Sequence, residues 1–436
     1  MWPYFPDLLE VPVPRYTSYP TAADFGPLEP FALERAIEQT AGDISLYLHI
    51  PFCEAICFYC GCNTSRSGKR ERVESYLSAL HQEIETVARL LPKAARVRRI
   101  AFGGGSPNAI LPAEFLKLIE ALTNRFGPTD GSYSIELDPR TMSAEWGHAV
   151  AQAGITRASM GVQTFAPHCQ KAIGREQNDA MIGRSVDWLR DAGVTSLNFD
   201  LMYGLPFQTK RDLEDSLEYT RRIGADRIAL FGYAHVPHIV PRQRVIDASA
   251  LPDRDTRFAM AKMGYVALTS AGYRPIGFDH FAQPSDPMAE ATRTGQLRRN
   301  FQGFTDDPSD TLIGLGASAI SAFPSLIAQN EKNSGRYRML TSQGKLTADY
   351  GIVRTPEDRI RGKVIEHLLC HGRTKLSPCL LAQCSAGLTP FVERGLARLN
   401  GMDLMVEPAG LPYSRTIAAL FDQYREYSAP RFSSAI

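Results

Sequence analysis

Cys53, Cys57 and Cys60 stand in one short stretch, His49-Ile-Pro-Phe-Cys53-Glu-Ala-Ile-Cys57-Phe-Tyr-Cys60-Gly-Cys62. The spacing is C-x3-C-x2-C, and Cys62 follows two residues later. Three close thiolates hold three corners of a four-iron cluster and leave the fourth iron without a protein ligand. That open corner is what radical chemistry with S-adenosylmethionine needs. The amine and carboxylate of the methionine chelate the free iron, and an electron from the cluster cleaves the sulfonium to give a 5′-deoxyadenosyl radical. The alternatives are weaker. A structural zinc site uses C-x2-C pairs set well apart and closed by a fourth ligand, which this tight run fits poorly. A disulfide framework is far denser than 8 Cys in 436 residues.

Other residues offer partners for that chemistry. The turn Gly103-Gly-Gly-Ser-Pro107 lets backbone approach a ligand closely and presents carbonyl acceptors to an amine, or it is simply a tight turn. Glu136, Asp138 and Asp200 follow apolar runs. A carboxylate there accepts two ribose hydroxyls, or caps a helix, and the capping reading is strongest for Asp138. Arg175 is a solvated charge or a fork for a carboxylate. Arg293, Arg298 and Arg299 suit a multi-carboxylate substrate or are surface charge. Cys169, Cys370, Cys379 and Cys384 lack ligand spacing and read as packing residues. Nothing selects among His235, His238 and His280, whose default is a core or surface role.

The elements that must position these residues alternate. Strands are expected at Ile44–Ile50, Arg98–Phe102, Tyr133–Leu137, Arg157–Val162, Ser196–Met202 and Arg227–Tyr233, with a seventh at Tyr273–Phe278. Helices are expected near 70–91, 112–126, 143–153, 178–192, 209–223 and 254–271. The first shows Val73, Tyr76, Leu77, Leu80, Ile84 and Val87 on one face. Such alternation predicts an α/β fold of parallel βαβ units, closed or open, with ligands at the C-terminal strand ends. The cysteine loop, the glycine turn, Glu136, Gln163, Asp200 and Ala234 all fall there. Residues 1–43 read as a proline-rich lead segment that is helical only over 31–40. Residues 280–350 lose the alternation, and helical patterns with a small hairpin return from about 355.

Composition narrows the class. Hydrophobic residues make 44% of the chain and charged ones 22%, which is ordinary globular usage. A net charge of +1 gives no bulk attraction to nucleic acid, so a winged-helix-like module over 355–436 is not expected to read DNA. No apolar run reaches a membrane span, and Met1-Trp-Pro-Tyr-Phe-Pro-Asp7 lacks a secretory pattern. Unpaired cysteines and an oxygen-sensitive cluster predict a reducing cytoplasm.

Several longer motifs carry a family likeness. Pro14-Arg-Tyr-Thr-Ser-Tyr-Pro-Thr-Ala22, Tyr47-Leu-His-Ile-Pro-Phe-Cys53 through Cys62, Ser159-Met-Gly-Val-Gln163, Asp200-Leu-Met-Tyr-Gly-Leu-Pro206, Tyr233-Ala-His235, Phe278-Asp-His-Phe-Ala282, Arg299-Asn-Phe-Gln-Gly303 and Ser318-Ala-Ile-Ser321 together resemble the oxygen-independent coproporphyrinogen III oxidases. The likeness covers nearly the whole chain and weakens after about residue 370. It implies a partial (β/α)6 barrel over 44–280, a lead segment over the active site, an extension at 281–354, and a smaller, mainly helical C-terminal domain at 355–436. It implies a [4Fe-4S] cluster on Cys53, Cys57 and Cys60, with Cys62 not a ligand, and two S-adenosylmethionine molecules. The first is expected to touch Tyr47, Gly104, Glu136 and Ile320. The second is expected near Tyr59, Gly105, Ser106, Gln163, Arg175, Asp200 and Ala234. Phe301 and Gln302 match positions close to both, and Tyr47 and Gln302 are the candidate catalytic side chains.

The implied reaction converts two propionates of coproporphyrinogen III to vinyl groups, by removal of a β-hydrogen, an electron and carbon dioxide. The implied partners are a porphyrinogen and a low-potential electron donor, flavodoxin- or ferredoxin-like, acting on a monomer. Ser106 stands where the family usually has threonine, and Asn108-Ala109 departs from its usual residues. This keeps open another two-S-adenosylmethionine enzyme, a methyltransferase or cyclopropanase. A haem-binding chaperone is the further alternative. Cys62 and Arg15-Tyr-Thr-Ser-Tyr-Pro20, which such chaperones typically lack, argue against it.

Overall fold

The computed structural model describes residues 2–127 and 132–425; the end of the expected C-terminal domain, 426–436, lies outside the described residues. Six parallel strands neighbour one another in chain order: β1 (Gly42–Ile50), β2 (Ala95–Gly104), β3 (Ser132–Leu137), β4 (Arg157–Gln163), β5 (Ser196–Tyr203) and β6 (Arg227–Gly232). Each is followed by a helix: α1 (Arg70–Leu90), α2 (Pro112–Phe126), α3 (Ala144–Gln152), α4 (Asp179–Asp191), α5 (Lys210–Ile223) and α6 (Arg254–Ser270). The expected apolar face of α1 is buried at all six positions. Burying such a side chain contributes about 1.5–3 kcal/mol, so this face alone ties α1 to the sheet. Turn chemistry sets the helix starts: the side chains of Ser143, Asn178, Thr209 and Asp253 each accept a backbone N–H of the first turn.

The sheet does not close. β6 is flanked by β8 (His280–Ala282), which runs antiparallel to it and to β7 (Arg274–Ile276). The expected seventh strand at Tyr273–Phe278 is therefore half of a short hairpin, because Gly277 in the left-handed region turns the chain back. On its other edge β1 is flanked by β11 (Leu312–Leu315), parallel to it. Then follow β12 (Ile320–Ala322), β13 (Leu326–Gln329) and β14 (Tyr350–Val353), all antiparallel. The stretch 280–350 is thus not irregular. It also carries the hairpin β9 (Arg298–Asn300) and β10 (Gly303–Thr305). Its strands of three or four residues fall below what periodicity resolves.

Beyond the sheet lie α7 (Pro356–His371), β15 (Arg373–Lys375), α8 (Pro378–Glu393) and the hairpin β16 (Ala397–Asn400) and β17 (Asp403–Val406). This region shares an apolar core with the lead segment, where Leu9, Val13, Tyr16 and Tyr19 pack among Ile365, Leu368, Leu388 and Tyr413. Hydrogen bonds join the two ends of the chain: Phe5 N–H to Tyr413 Oη at 2.8 Å, Tyr413 Oη to Pro3 O at 2.8 Å, and Tyr16 Oη to Asp422 at 3.0 Å. No helix among the described residues is long and apolar enough to cross a membrane.

One buried carboxylate locks the extension to the barrel. Glu83 on α1 is 1% exposed and accepts from Gly316 N–H at 2.6 Å, Asn330 Nδ2 at 2.7 Å and Tyr337 Oη at 2.7 Å. Burial pushes its carboxyl up to about 7, against the pull of those three donors. Two turns earlier on the same face of α1, Tyr76 accepts Ala317 N–H and donates to His49 O. Glu83→Gln replaces one accepting oxygen with an NH2 that can only donate, and is expected to lower stability by about 1–3 kcal/mol in urea unfolding.

Candidate active site

The cysteine loop leaves the C-terminal end of β1 and is fixed along its length. Phe52–Cys53 pairs with Ser65–Arg66, Phe58 N–H bonds Ile173 O at 2.9 Å, and Gln243 Nε2 bonds Tyr59 O at 2.9 Å. Cys57 is buried, and its Sγ faces Arg175 Nη1 at 3.3 Å and Arg140 Nη2 at 3.4 Å. Cys53 Sγ lies 3.2 Å from Thr64 Oγ1, and Cys60 Sγ accepts Cys62 N–H at 3.4 Å. The Cys62 thiol and N–H pull Cys60 down to about 6, while Cys62 itself is pushed up. All eight cysteines are unpaired.

The donor set fits a multi-iron cluster. Ligands of one tetrahedral zinc, at about 2.3 Å each, put sulfurs about 3.8 Å apart. Among the described residues one trio of metal-ligating side chains comes within 4.8 Å of one another, His168, Cys169 and Asp212, and the three loop thiols are set wider than that. Wider thiols with cationic N–H donors at the central sulfur suit a cluster whose charge and potential such donors tune.

The glycine turn at the end of β2 is shaped by its neighbours. A Cβ on Gly103 would stand 2.6 Å from Glu136 Oε2 and 3.0 Å from Tyr47 Oη, and one on Gly104 would stand 2.7 Å from the His49 ring. Gly104 also has φ +115°, a conformation that favours glycine. Its N–H points at Glu136 Oε2, 3.3 Å away. Gly104→Ala therefore meets both strain and a ring, and is expected to lower stability by about 1–3 kcal/mol in urea unfolding. His49 is held by Tyr47 Oη and by Asn63 O at 3.1 Å.

Glu136 and Gln302 line one interior lumen. The depth of that lumen and the charge of Asp200 push Glu136 up to about 7. Asp200 is raised by burial, and is oriented by Asn198 Nδ2 at 2.8 Å and Ser159 Oγ at 3.3 Å. Gln302 sits in the turn of the β9–β10 hairpin, which reaches into the lumen beside Glu136 and Ser159. The lumen floor is an ion cluster in which Asp306 bridges Arg99 and Arg157 at 2.6 Å each. Burial opposes ionisation of Asp306, but the two arginines win and hold its carboxyl well below the usual range.

The remaining candidates fall into place unevenly. Gln163 ends β4 in a left-handed conformation, φ 68°, and is buried. Arg175 is buried with all three nitrogens engaged, by Gly161 O, Cys57 Sγ and Asp138. Asp138 caps the turn that follows it, accepting Arg140 N–H at 3.0 Å. Burial raises its carboxyl, yet Arg175 and Arg140 hold it below normal. Tyr59 packs beside Cys169 and Tyr233, Ala234 O accepts Gln243 Nε2 at 3.1 Å, and Ile320 opens β12 opposite Gln329. Arg293 lies outside the site, exposed and paired with Glu290 on its own helix. Arg298 is taken by Asp310 and Glu366. Cys169, Cys370 and Cys384 are packing residues, whereas Cys379 is exposed in the first turn of α8, where the chain offers it no core. His235 meets Tyr233 Oη at 2.9 Å, His280 meets Asp279 at 2.6 Å, and His238 is exposed.

Asn108 explains the departure at the glycine turn. Its amide donates to Asp138 O at 2.9 Å and accepts Asp138 N–H at 3.0 Å, and Ser106 Oγ donates to its Oδ1. The turn is thereby stitched to the end of β3. Sequence reasoning missed Arg140 and Gln243. Arg140 grips Asp138 and Cys57, and Gln243 grips backbone, each from a 3-10 turn too short for periodicity to mark.

A profile of the radical SAM superfamily matches residues 47–220. The chain is 39% identical over 442 residues to an oxygen-independent coproporphyrinogen III oxidase of Paracoccus denitrificans, covering 98% of each. It is 36% identical to that of Pseudomonas aeruginosa, covering 97% of this chain and 96% of the other. Among solved structures, the coproporphyrinogen III oxidase of Escherichia coli, described as a radical SAM enzyme, superposes with a TM-score of 0.89. It shows 35% identity over 94% of this chain and 97% of that one.

Proposed function

The chain belongs to the oxygen-independent coproporphyrinogen III oxidases, and from that membership we infer how its own residues carry the reaction. The enzyme oxidatively decarboxylates two propionate side chains of coproporphyrinogen III to vinyl groups, giving protoporphyrinogen IX. Held in the cysteine loop, a [4Fe-4S] cluster would supply the electron for reductive cleavage of S-adenosylmethionine, the source of hydrogen-atom abstraction at the propionate β-carbon. Cys53, Cys57 and Cys60 would hold three irons. Cys62 stays off the cluster and donates to Cys60. The observation that carries this assignment is the convergence of Tyr47, Gly104 and Glu136 at the mouth of the thiol loop.

Each residue then has a task. Tyr47, Gly104, Glu136 and Ile320 surround the first S-adenosylmethionine, with Glu136 accepting hydroxyls and the Gly103–Gly104 backbone lying against it. Tyr59, Gly105, Ser106, Gln163, Asp200 and Ala234 surround a second. Arg175, fully engaged by the loop and by Asp138, fixes that wall and donates to Cys57. Gln302 orients the reacting propionate in the lumen, where a fixed geometry saves the entropy of encounter. The divisions 1–43, 44–280, 281–354 and 355–436 are proposed as lead segment, barrel, extension and C-terminal domain. The partner is a low-potential flavodoxin- or ferredoxin-like electron donor, and the protein is a cytoplasmic monomer.

The test is anaerobic turnover. The reconstituted protein with reductant, S-adenosylmethionine and coproporphyrinogen III is expected to give vinyl product with about two 5′-deoxyadenosines per protoporphyrinogen. Stoichiometric haem binding without turnover, or S-adenosylhomocysteine as product, would overturn this reading.

A further inference from the structure

Next to the lumen lies a second cavity of about 550 Å³, within the range of small-molecule sites. The two share one sheet face. Leu312 stands opposite Ser45, whose side chain lines the lumen, Ala322 stands opposite Leu312, and Ile327 opposite Ala322. Paired residues point to the same side of a sheet. The cavity floor of Leu312, Ala322 and Ile327 is therefore the lumen wall carried outward. The β9–β10 hairpin stands between them: Gln302 and Phe304 line the lumen, Arg298 to Phe301 line the cavity, and Thr305 and Asp307 line both.

Cations also line the cavity, beside the acids Asp307, Asp310 and Glu366, of which the last two pair Arg298. Arg299, Arg354, Arg359 and Lys363 line it. Arg299 Nη1 and Arg354 Nε are buried with no hydrogen-bond partner, and such N–H groups cost free energy until an acceptor arrives. Arg299 is otherwise held by Tyr16 O and Arg15 O, at 3.0 Å each. Arg359 and Lys363, one turn apart on α7, make no ion pair within 4 Å among the described residues. Arg298 is already neutralised. A Cβ on Gly362 would stand 3.1 Å from Arg354 Nη2, so the glycine gives the guanidinium its place against the helix.

An apolar floor edged by Arg359, Lys363 and two guanidiniums that each keep one N–H without a partner suits a flat apolar body edged with carboxylates. We propose that this cavity binds the macrocycle of the porphyrinogen, with Arg299, Arg354, Arg359 and Lys363 pairing the propionates that are not reacting, while the hairpin tip Phe301–Gln302 admits one propionate to the lumen. This rests on the reading of the substrate given above. It answers which arginines recognise carboxylates: one of the three marked by sequence, and two from a strand end and a helix that pattern did not single out.

Coproporphyrin III, the fluorescent oxidised form, is the probe, titrated anaerobically into the holoenzyme. Arg354→Gln and Lys363→Gln are each expected to weaken binding about 10- to 100-fold, as for loss of a charge-assisted hydrogen bond. Both should raise KM for coproporphyrinogen III more than they lower kcat. The tetramethyl ester of the probe should bind weakly to every variant, and Arg293→Gln, on the outer surface, should bind the free acid like the parent. Lys363 is an exposed helix position, so its variant keeps the test open where Arg354→Gln fails to fold. Parent-like binding by Lys363→Gln together with a folded Arg354→Gln, or no binding by the parent, overturns the proposal. Absence of vinyl product from the parent overturns the functional reading instead, and the titration still reports on the cavity.

Discussion

Cys57→Ala is expected to yield protein with essentially no iron or sulfide, where the parent holds about four of each, and vinyl product below detection. Cys57 is the central cysteine of the run and the one buried thiol among the three. Its sulfur is the point on which Arg175 and Arg140 converge. Two remaining thiolates cannot hold a cluster that already has one corner open. The fold should survive, because Arg175 keeps Asp138 and Gly161 as partners, so the measured melting temperature should move little. Cys62→Ser is the control. Cys62 touches Cys60 but stands outside the proposed ligands, so its variant should keep iron. Iron analysis and electron paramagnetic resonance of the two variants decide the assignment: a cluster retained in Cys57→Ala, with Cys62 recruited, would falsify it.

Asp306→Ala should be the most damaging change to stability. Asp306 is nearly enclosed and binds two arginines at once, Arg99 and Arg157. Its removal takes this partner from Arg157 and leaves Arg99 only the longer contact to Asp307, at 3.9 Å. Breaking a buried pair in this way costs about 3–5 kcal/mol, enough to be plain in urea unfolding. The same carboxylate sets an acid limit. Its folded pKa lies below the unfolded value near 3.9, so the folded state binds the proton less readily. The stability it contributes is complete above that unfolded value and is lost as pH falls towards the folded one. The parent should therefore lose stability steeply below about pH 4, and the variant should show a shallower fall.

Much of this was legible in the sequence because strong periods carry it. Strands β1 to β6 and helices α1 to α6 lie within a few residues of their expected places, since each buries a continuous apolar face. The glycine turn, the thiol loop and Glu136 could be placed on one rim because strand ends fix them. What escaped has a common cause. β9 to β14 are three- or four-residue strands, too short to show a period, yet they carry Gln302 and the floor of the second cavity. Arg354 and Lys363 come from a strand end and a helix far along the chain, and only tertiary packing brings them into one cavity with Leu312. The lead segment looked irregular because its prolines break pattern, although Val13 and Tyr16 are core residues.

The bonds between the two chain ends set an order of events during synthesis. Phe5 waits for Tyr413 across 408 positions, and Tyr16 for Asp422 across 406. At about 5–20 residues per second, that gap lasts roughly 20–80 s on the ribosome. Local βα units form well within it, whereas contacts of such sequence separation come last. The barrel sheet is complete only once the chain has passed Val353, so it stands without its C-terminal partner for the residues up to Tyr413, about 3–12 s of that time. The lead segment finds its apolar partners, Ile365, Leu368, Leu388 and Tyr413, only at the end of that time.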